Sequence, residues 1–254
     1  MNLSERSAIV TGGAGGLGAA TVRHLHALGM QVVVFDRALE SGQELVSALG
    51  AGAAVGGDVN NDDDVVAALD AATALAPLGV VVNVAGGGSG GRTLSLDNSP
   101  LDIDKFKGTI ELNTVGTFNV IRLAAARMAS NQADEHGQRG VVVNTASIAG
   151  YEGQTGQVAY AAAKAAILGM SLPLARDLAP LGIRVCAIAP GTMGTPLMQS
   201  APEELKTKLV ENIVFPHRMG EPDEFALLVE SIVVNPYLNG ENIRLDGALR
   251  FPPK

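Results

Sequence analysis

An apolar run at Ser7 to Val10 breaks at Thr11-Gly12-Gly13-Ala14-Gly15-Gly16-Leu17-Gly18 and resumes, helical in character, at Ala19 to Leu28. Strand, glycine turn and helix in that order constrain everything that follows. Glycines let the backbone approach a pyrophosphate, whose charge is met by free N–H groups and by the positive end of the helix. Two registers fit the turn. Gly13, Gly15 and Gly18 satisfy G-x-G-x-x-G, whereas Gly12, Gly16 and Gly18 satisfy T-G-x-x-x-G-x-G. An ordinary tight turn is the plainer alternative, and the flanking strand and helix weigh against it.

The alternation continues along the chain. Gln31 to Phe35 reads as a second strand ended by Asp36, Ser41 to Leu49 as a helix, and Ala53 to Val55 as a short third strand. Gly79 to Val82 is continuously apolar, the pattern of a strand buried on both faces. A helix is expected from about Leu101 through Met128, a strand at Gly140 to Asn144, a helix to about Leu178 and a strand at Gly182 to Ala189. Helices near Glu203 to Glu211 and Asp223 to Val234 and a last strand near Glu241 to Leu245 complete the pattern. It predicts an α/β fold: one doubly wound, mostly parallel sheet with helices on both faces, spanning residues 1–254, with its site at the strands' carboxyl ends.

Composition narrows the partners. A net charge of -8 and a pI near 5.0 argue against nucleic acid, which needs clustered Lys and Arg. Hydrophobic residues make up 47% and charged ones only 17%, so a homo-oligomer covering apolar surface is expected. No apolar run approaches 18 residues, and Met1 to Arg6 leads straight into a strand, so neither a membrane span nor a leader is expected. The lone Cys186 reads as a buried hydrophobe in a reducing compartment, and a cytoplasmic protein is expected, the mitochondrial matrix being compatible. No metal is assigned, because His24, His26, His136 and His217 lack ligand spacing.

Tyr160-Ala161-Ala162-Ala163-Lys164 places a phenol and an ammonium on one helix face. For the phenol to act as a base near neutrality its pKa must fall from about 10 by about three units, roughly 4 kcal/mol, and a nearby cation shifts it that way. Ser147, at the end of the fifth strand, precedes Tyr160 across a glycine-punctuated loop and can meet it in one crevice. Asp36 is placed to accept from a ribose 2'-hydroxyl and to repel a 2'-phosphate, which favours NAD, although neighbouring Arg37 could accept that phosphate. The run from Asp58 to Asp64 lacks the glycine of a calcium loop, and Asn60 or Asn61 with three following acids reads better as a capped helix start. Asp58 itself is kept for an adenine edge. Gly87-Gly88-Ser89-Gly90-Gly91 matches a hydrolase nucleophile elbow only formally, because the polar, turn-rich segment to Pro100 cannot be the helix an elbow needs. Asn113 sits in mid-helix, where its plain reading is a hydrogen bond that fixes neighbouring backbone.

Thr11-Gly12 with Gly16 and Gly18, Asp58, Asn83-Val84-Ala85-Gly86, Asn113, Ser147, Tyr160, Lys164 and Pro190-Gly191 stand together in an order and spacing that resemble the short-chain dehydrogenase/reductase family over the whole chain. The resemblance implies a Rossmann-type fold and the second glycine register. It implies Tyr160 as general acid/base, Ser147 as hydrogen-bond partner of the substrate oxygen, Lys164 as the group that lowers the Tyr160 pKa and holds the cofactor ribose, and Asn113 as anchor of a relay water. It further implies NAD contacts from Leu17, Val59, Asn83, Ala85, Gly86, Thr192, Met193 and Thr195. Segments such as Leu172 to Pro180 and Leu238 to Ala248 look like the type II 3-hydroxyacyl-CoA dehydrogenases, also described as 17β-hydroxysteroid dehydrogenase type 10, an NAD-dependent and homotetrameric branch acting on small molecules. In that branch the insertion after strand four is lysine-rich and helps hold CoA. Here Gly87 to Lys107 carries only Arg92, Lys105 and Lys107 against Asp97, Asp102 and Asp104, so an alcohol or hydroxysteroid dehydrogenase remains the alternative, while the intact Asn113, Ser147, Tyr160 and Lys164 set argues against a third reading, a non-catalytic NADH-sensing scaffold. The apolar segment 193–215 resembles a substrate loop.

Overall fold

Each apolar run is followed by a helical segment that returns the chain to the same edge, so the strands come out parallel. The computed structural model describes residues 1–88 and 90–253, Leu197 by its backbone alone; Ser89, of the nucleophile-elbow pattern, lies outside the described residues. In chain order the first half runs β1 (Ser7–Thr11), α1 (Gly16–Ala27), β2 (Gln31–Asp36), α2 (Leu39–Leu49), β3 (Ala53–Gly56), α3 (Asp62–Leu75) and β4 (Leu78–Asn83). It continues with α4 (Ile103–Ile110), α5 (Gly116–Met128), β5 (Gly140–Thr145), α6 (Val158–Leu178) and β6 (Ile183–Pro190). The short α7 (Pro196–Gln199), α8 (Glu203–Val210), α9 (Pro222–Val234) and β7 (Asn242–Leu245) follow. The sheet order is β3-β2-β1-β4-β5-β6-β7, parallel throughout. The strand order reverses between β1 and β4. That is where a crevice opens at the carboxyl ends of such a sheet.

Alternate strand residues feed two cores. Val10, Val82 and Val143 pack with Val22 and Leu25 of α1 and Phe225 and Val229 of α9 on one face. Ile9, Val81 and Val142 pack with Leu69 of α3 and Val120 and Ile121 of α5 on the other. Burial on both faces explains why these strands read as unbroken apolar runs.

Two expectations are revised. The long helix is continuous but not uniform: Asp102 caps its start by accepting from Asp104 N–H at 3.0 Å, and Glu111 to Val115 form a π turn between α4 and α5. The widened turn lets Asn113 Nδ2 bond back to the Thr109 carbonyl at 2.8 Å, the kind of local irregularity that gathers at functional sites. Second, the stretch Val158–Leu181 is long and apolar enough by composition to cross a membrane, contrary to the expectation that no such run exists. Its apolar character serves packing instead: Ala163, Ile167, Leu168 and Leu174 are buried, and its one lysine, Lys164, is only 3% exposed. The acidic run is a helix start, Asn61 Oδ1 accepting from Asp63 and Asp64 N–H at 2.9 and 3.2 Å.

Candidate active site

Gly12 adopts φ 63°, and a Cβ there would lie 2.8 Å from Ala85 N, so only glycine lets the turn press against the end of β4. Thr11 Oγ1 fastens the same junction, accepting from Val84 and Ala85 N–H at 3.1 Å each. A cleft of about 570 Å³ results, bordered by Gly12, Gly16, Leu17, Gly18, Asp36, Asp58, Val59, Ala85, Gly86 and Thr195 among the expected residues. Gly13 is not among them; it faces the Val10 carbonyl and Val34. The first N–H groups of α1 have no acceptor within the helix and stand at the cleft floor. Gly15 of the first register and Val84 of the Asn83 to Gly86 motif border it as well, whereas Ala14, Phe35, Gly57, Leu112 and Pro196 also border it and were not anticipated. Most are chain neighbours of anticipated residues, but Leu112 arrives through the π turn, which no sequence pattern announced.

At the far end of β2, Asp36 Oδ2 accepts from Ala14 N–H at 3.0 Å and Oδ1 from Ala38 N–H at 2.9 Å, so its carboxylate is held at the cleft wall with exposed Arg37 beside it. Asp58 Oδ1 accepts from Asn60, and the Val59 carbonyl accepts from Asn119 Nδ2 at 2.9 Å. Other expected cofactor residues stand elsewhere. Asn83 is buried and donates to Asn144 Oδ1 at 2.9 Å, tying β4 to β5. Pro190 ends β6, buried, and Gly191 N–H bonds Leu245. Thr192 and Met193 border a separate cavity of about 100 Å³ with Ile213 and Pro216.

The other end of the cleft is Gly86. A Cβ there would lie 2.7 Å from Asn113 Oδ1 and 3.2 Å from Lys164 Nζ, so these two side chains converge on it. Asn113 is fully buried and clamps Gly87 at both backbone atoms, accepting from its N–H at 3.1 Å and donating to its carbonyl at 2.6 Å. That fixing of backbone is the plain role its mid-helix position suggested. Ser147 Oγ accepts from Ala149 N–H at 3.1 Å, which leaves its proton to bond Tyr160. Lys164 donates to the Thr145 carbonyl at 2.8 Å and its Nζ lies 5.7 Å from the Tyr160 ring centroid.

The electrostatics run against one expectation. Burial pushes the Tyr160 hydroxyl up from its ordinary value, with the Ser147 hydrogen bond opposing, rather than Lys164 pulling it down. The reason is that Lys164 is itself desolvated, its pKa lowered to about 8 by burial, with a backbone carbonyl as its partner. A phenol that holds its proton beside a hydroxyl donor is built to give that proton to an oxygen placed between them.

The family model of the short chain dehydrogenases matches residues 6–206. The chain belongs to that family. It is an oxidoreductase, and its single parallel sheet is the Rossmann-type arrangement of its structural neighbours. This short-chain dehydrogenase is 48% identical over 248 residues to the 3-hydroxyacyl-CoA dehydrogenase type-2 of Drosophila melanogaster, covering 96% of this chain and 97% of that one. The crystal structure of 3-hydroxyacyl-CoA dehydrogenase type-2 from Mycobacterium avium superposes with a TM-score of 0.98 at 52% identity, over 99% and 98% of the two chains. A 7α-hydroxysteroid dehydrogenase complexed with NADH and 7-oxo glycochenodeoxycholic acid superposes with a TM-score of 0.86 at 26% identity, over 98% and 95%.

Proposed function

We propose that this short-chain dehydrogenase is an NAD-dependent 3-hydroxyacyl-CoA dehydrogenase. The observation that carries the reading is that Asn113 and Lys164 converge on Gly86 at the end of a glycine-floored cleft, with Tyr160, bonded to Ser147, packed against neighbouring Gly88, in a chain whose type-2 relatives match it from end to end. The donor set of the cleft suits a nicotinamide dinucleotide: the N–H groups at the start of α1 for the pyrophosphate, Asp36 for an adenosine ribose, Asp58 and Val59 for adenine, and Lys164 for the second ribose. When bound, it supplies hydride exchange and, oxidised, a positive charge that favours the Tyr160 phenolate. Tyr160 gives its proton to the substrate carbonyl oxygen in reduction and takes the hydroxyl proton in oxidation. Ser147 donates a second hydrogen bond to that oxygen, and Asn113 holds the Gly87 backbone at the cleft end.

A second reading, a hydroxysteroid or other alcohol dehydrogenase, draws on the insertion before α4. Lys107 of α4 is already paired with Asp104 of the same helix at 3.5 Å, and the insertion exposes the apolar Leu94 and Leu96. NADH consumption with acetoacetyl-CoA, measured beside a steroid ketone, decides between them. Turnover of the thioester is expected; turnover of the steroid alone would replace the first reading with the second, and loss of NADH with neither would sink both.

Asp36→Ala is expected to relax the preference for NAD over NADP by about tenfold, the order of one charge-assisted hydrogen bond. An unchanged NAD/NADP ratio of kcat/KM would assign the choice to Arg37. We propose a homotetramer, supported by the half-exposed Phe118 and Leu181 along the groove between α5 and α6. Light scattering should give four times the chain mass of 26.0 kDa, and a monomer would refute it.

A further inference from the structure

A cluster of ion pairs outside the cleft joins β7 to the loop between Ser147 and Tyr160. Arg244 Nη2 donates to Glu152 Oε1 at 2.6 Å and to the Leu249 carbonyl at 2.9 Å, while Nε donates to Asp246 Oδ2 at 2.6 Å. Its guanidinium lies 5.2 Å from the centroid of the Tyr151 ring. The side chains of Arg244, Glu152 and Asp246 are 22%, 28% and 7% exposed, so the cluster is better shielded than a surface pair and its planar fork fixes direction as well as distance.

Two further links run the same way. Ile148, next to Ser147, is buried in a cluster with Leu249 and Ile213, the latter at the end of the substrate-loop segment. Thr155 donates from N and Oγ1 to the Pro253 carbonyl at 3.1 and 2.9 Å. The loop so held lies hard against α6: a Cβ on Gly153 would come within 2.7 Å of Ala161 Cβ, one residue from Tyr160. The loop therefore packs directly on the turn that carries the phenol.

We propose that Arg244, Glu152 and Asp246 form a positioning device that fixes the Ser147 hydroxyl relative to the Tyr160 hydroxyl. This rests on the reading that these two hydroxyls act on the substrate oxygen. Misplacing a reacting group by about 1 Å costs on the order of a hundredfold in rate, so partial loosening of the loop should lower turnover by about tenfold. Glu152→Ala tests this, because Arg244 keeps Asp246 and the Leu249 carbonyl and the strand keeps its anchor. The expected result is a kcat about tenfold lower with the NADH dissociation constant within about twofold, and Glu152→Gln, which keeps an acceptor, recovering most of the loss. Wild-type kcat in folded Glu152→Ala, or an equal loss of NADH affinity, would overturn the proposal. If Glu152→Ala does not fold, Arg244→Lys, which keeps one ion pair, should show an intermediate kcat, and an unchanged value would overturn it equally. Tyr160→Phe in the same assay separates the two readings. An active Tyr160→Phe rejects the roles of both hydroxyls and the cluster's role with them; an inactive one beside a fully active Glu152→Ala rejects the cluster's role alone.

Discussion

Tyr160→Phe should lower kcat about a thousandfold while NADH binds within about twofold of the wild type, the range expected when a positioned acid/base is removed and nothing else. The phenylalanine ring keeps the packing against Gly88, whose missing Cβ would lie 3.2 Å from Tyr160 Cδ2, so the cleft end should keep its shape. What disappears is the hydroxyl bonded to Ser147, whose proton is held back by burial. The sign gives a second readout. Because burial raises the Tyr160 pKa, ketone reduction, which needs the protonated phenol, should persist to alkaline pH, and the residual rate of Tyr160→Phe should lose that dependence. Near-wild-type turnover would refute the acid/base role; a parallel loss of NADH binding would show that the ring, not the proton, matters.

The fold was legible because the code that carries it is periodic and local. Unbroken apolar runs such as Gly79 to Val82 announce a strand buried on both faces, and the two cores on either side of Val81 and Val82 are the physical cause. Glycine positions were legible for a related reason: a left-handed turn at Gly12 and close approach to Ala85 leave no room for another residue. What escaped was anything set by the direction of a side chain across the fold. Asn83 stands in the expected motif yet turns into the sheet to bond Asn144. The π turn at Asn113 has no sequence period of its own. The pKa balance of Tyr160 and Lys164 escaped most completely, since spacing puts the two groups on one face but says nothing of how deeply α6 is buried.

That burial sets the last expectation: Lys164→Met should be more stable than the wild type and nearly inactive. Lys164 is lowered from 10.5 to about 8, which makes holding its charge at neutral pH cost about 3 kcal/mol. Removing the ammonium leaves the Thr145 carbonyl without its donor, a loss of about 1 kcal/mol. The balance, about 2 kcal/mol, corresponds to a rise of about 4–8 °C in Tm for a domain of this size. The direction with pH follows from proton counting. Between pH 8 and 10.5 the unfolded chain holds the Lys164 proton and the folded chain has released it, so wild-type stability gains from this group as pH rises through that window, and its cost is fully present below pH 8. The difference in stability between Lys164→Met and wild type should therefore shrink from pH 8 to 10.5. A variant less stable at pH 7, or a difference constant across that range, would mean that the lysine is not buried as a charge. Activity should fall about a hundredfold or more, since the cleft end loses its only cation among the groups that converge on Gly86. Stability given up at one buried ammonium is then the direct measure of what the site requires of its folded state.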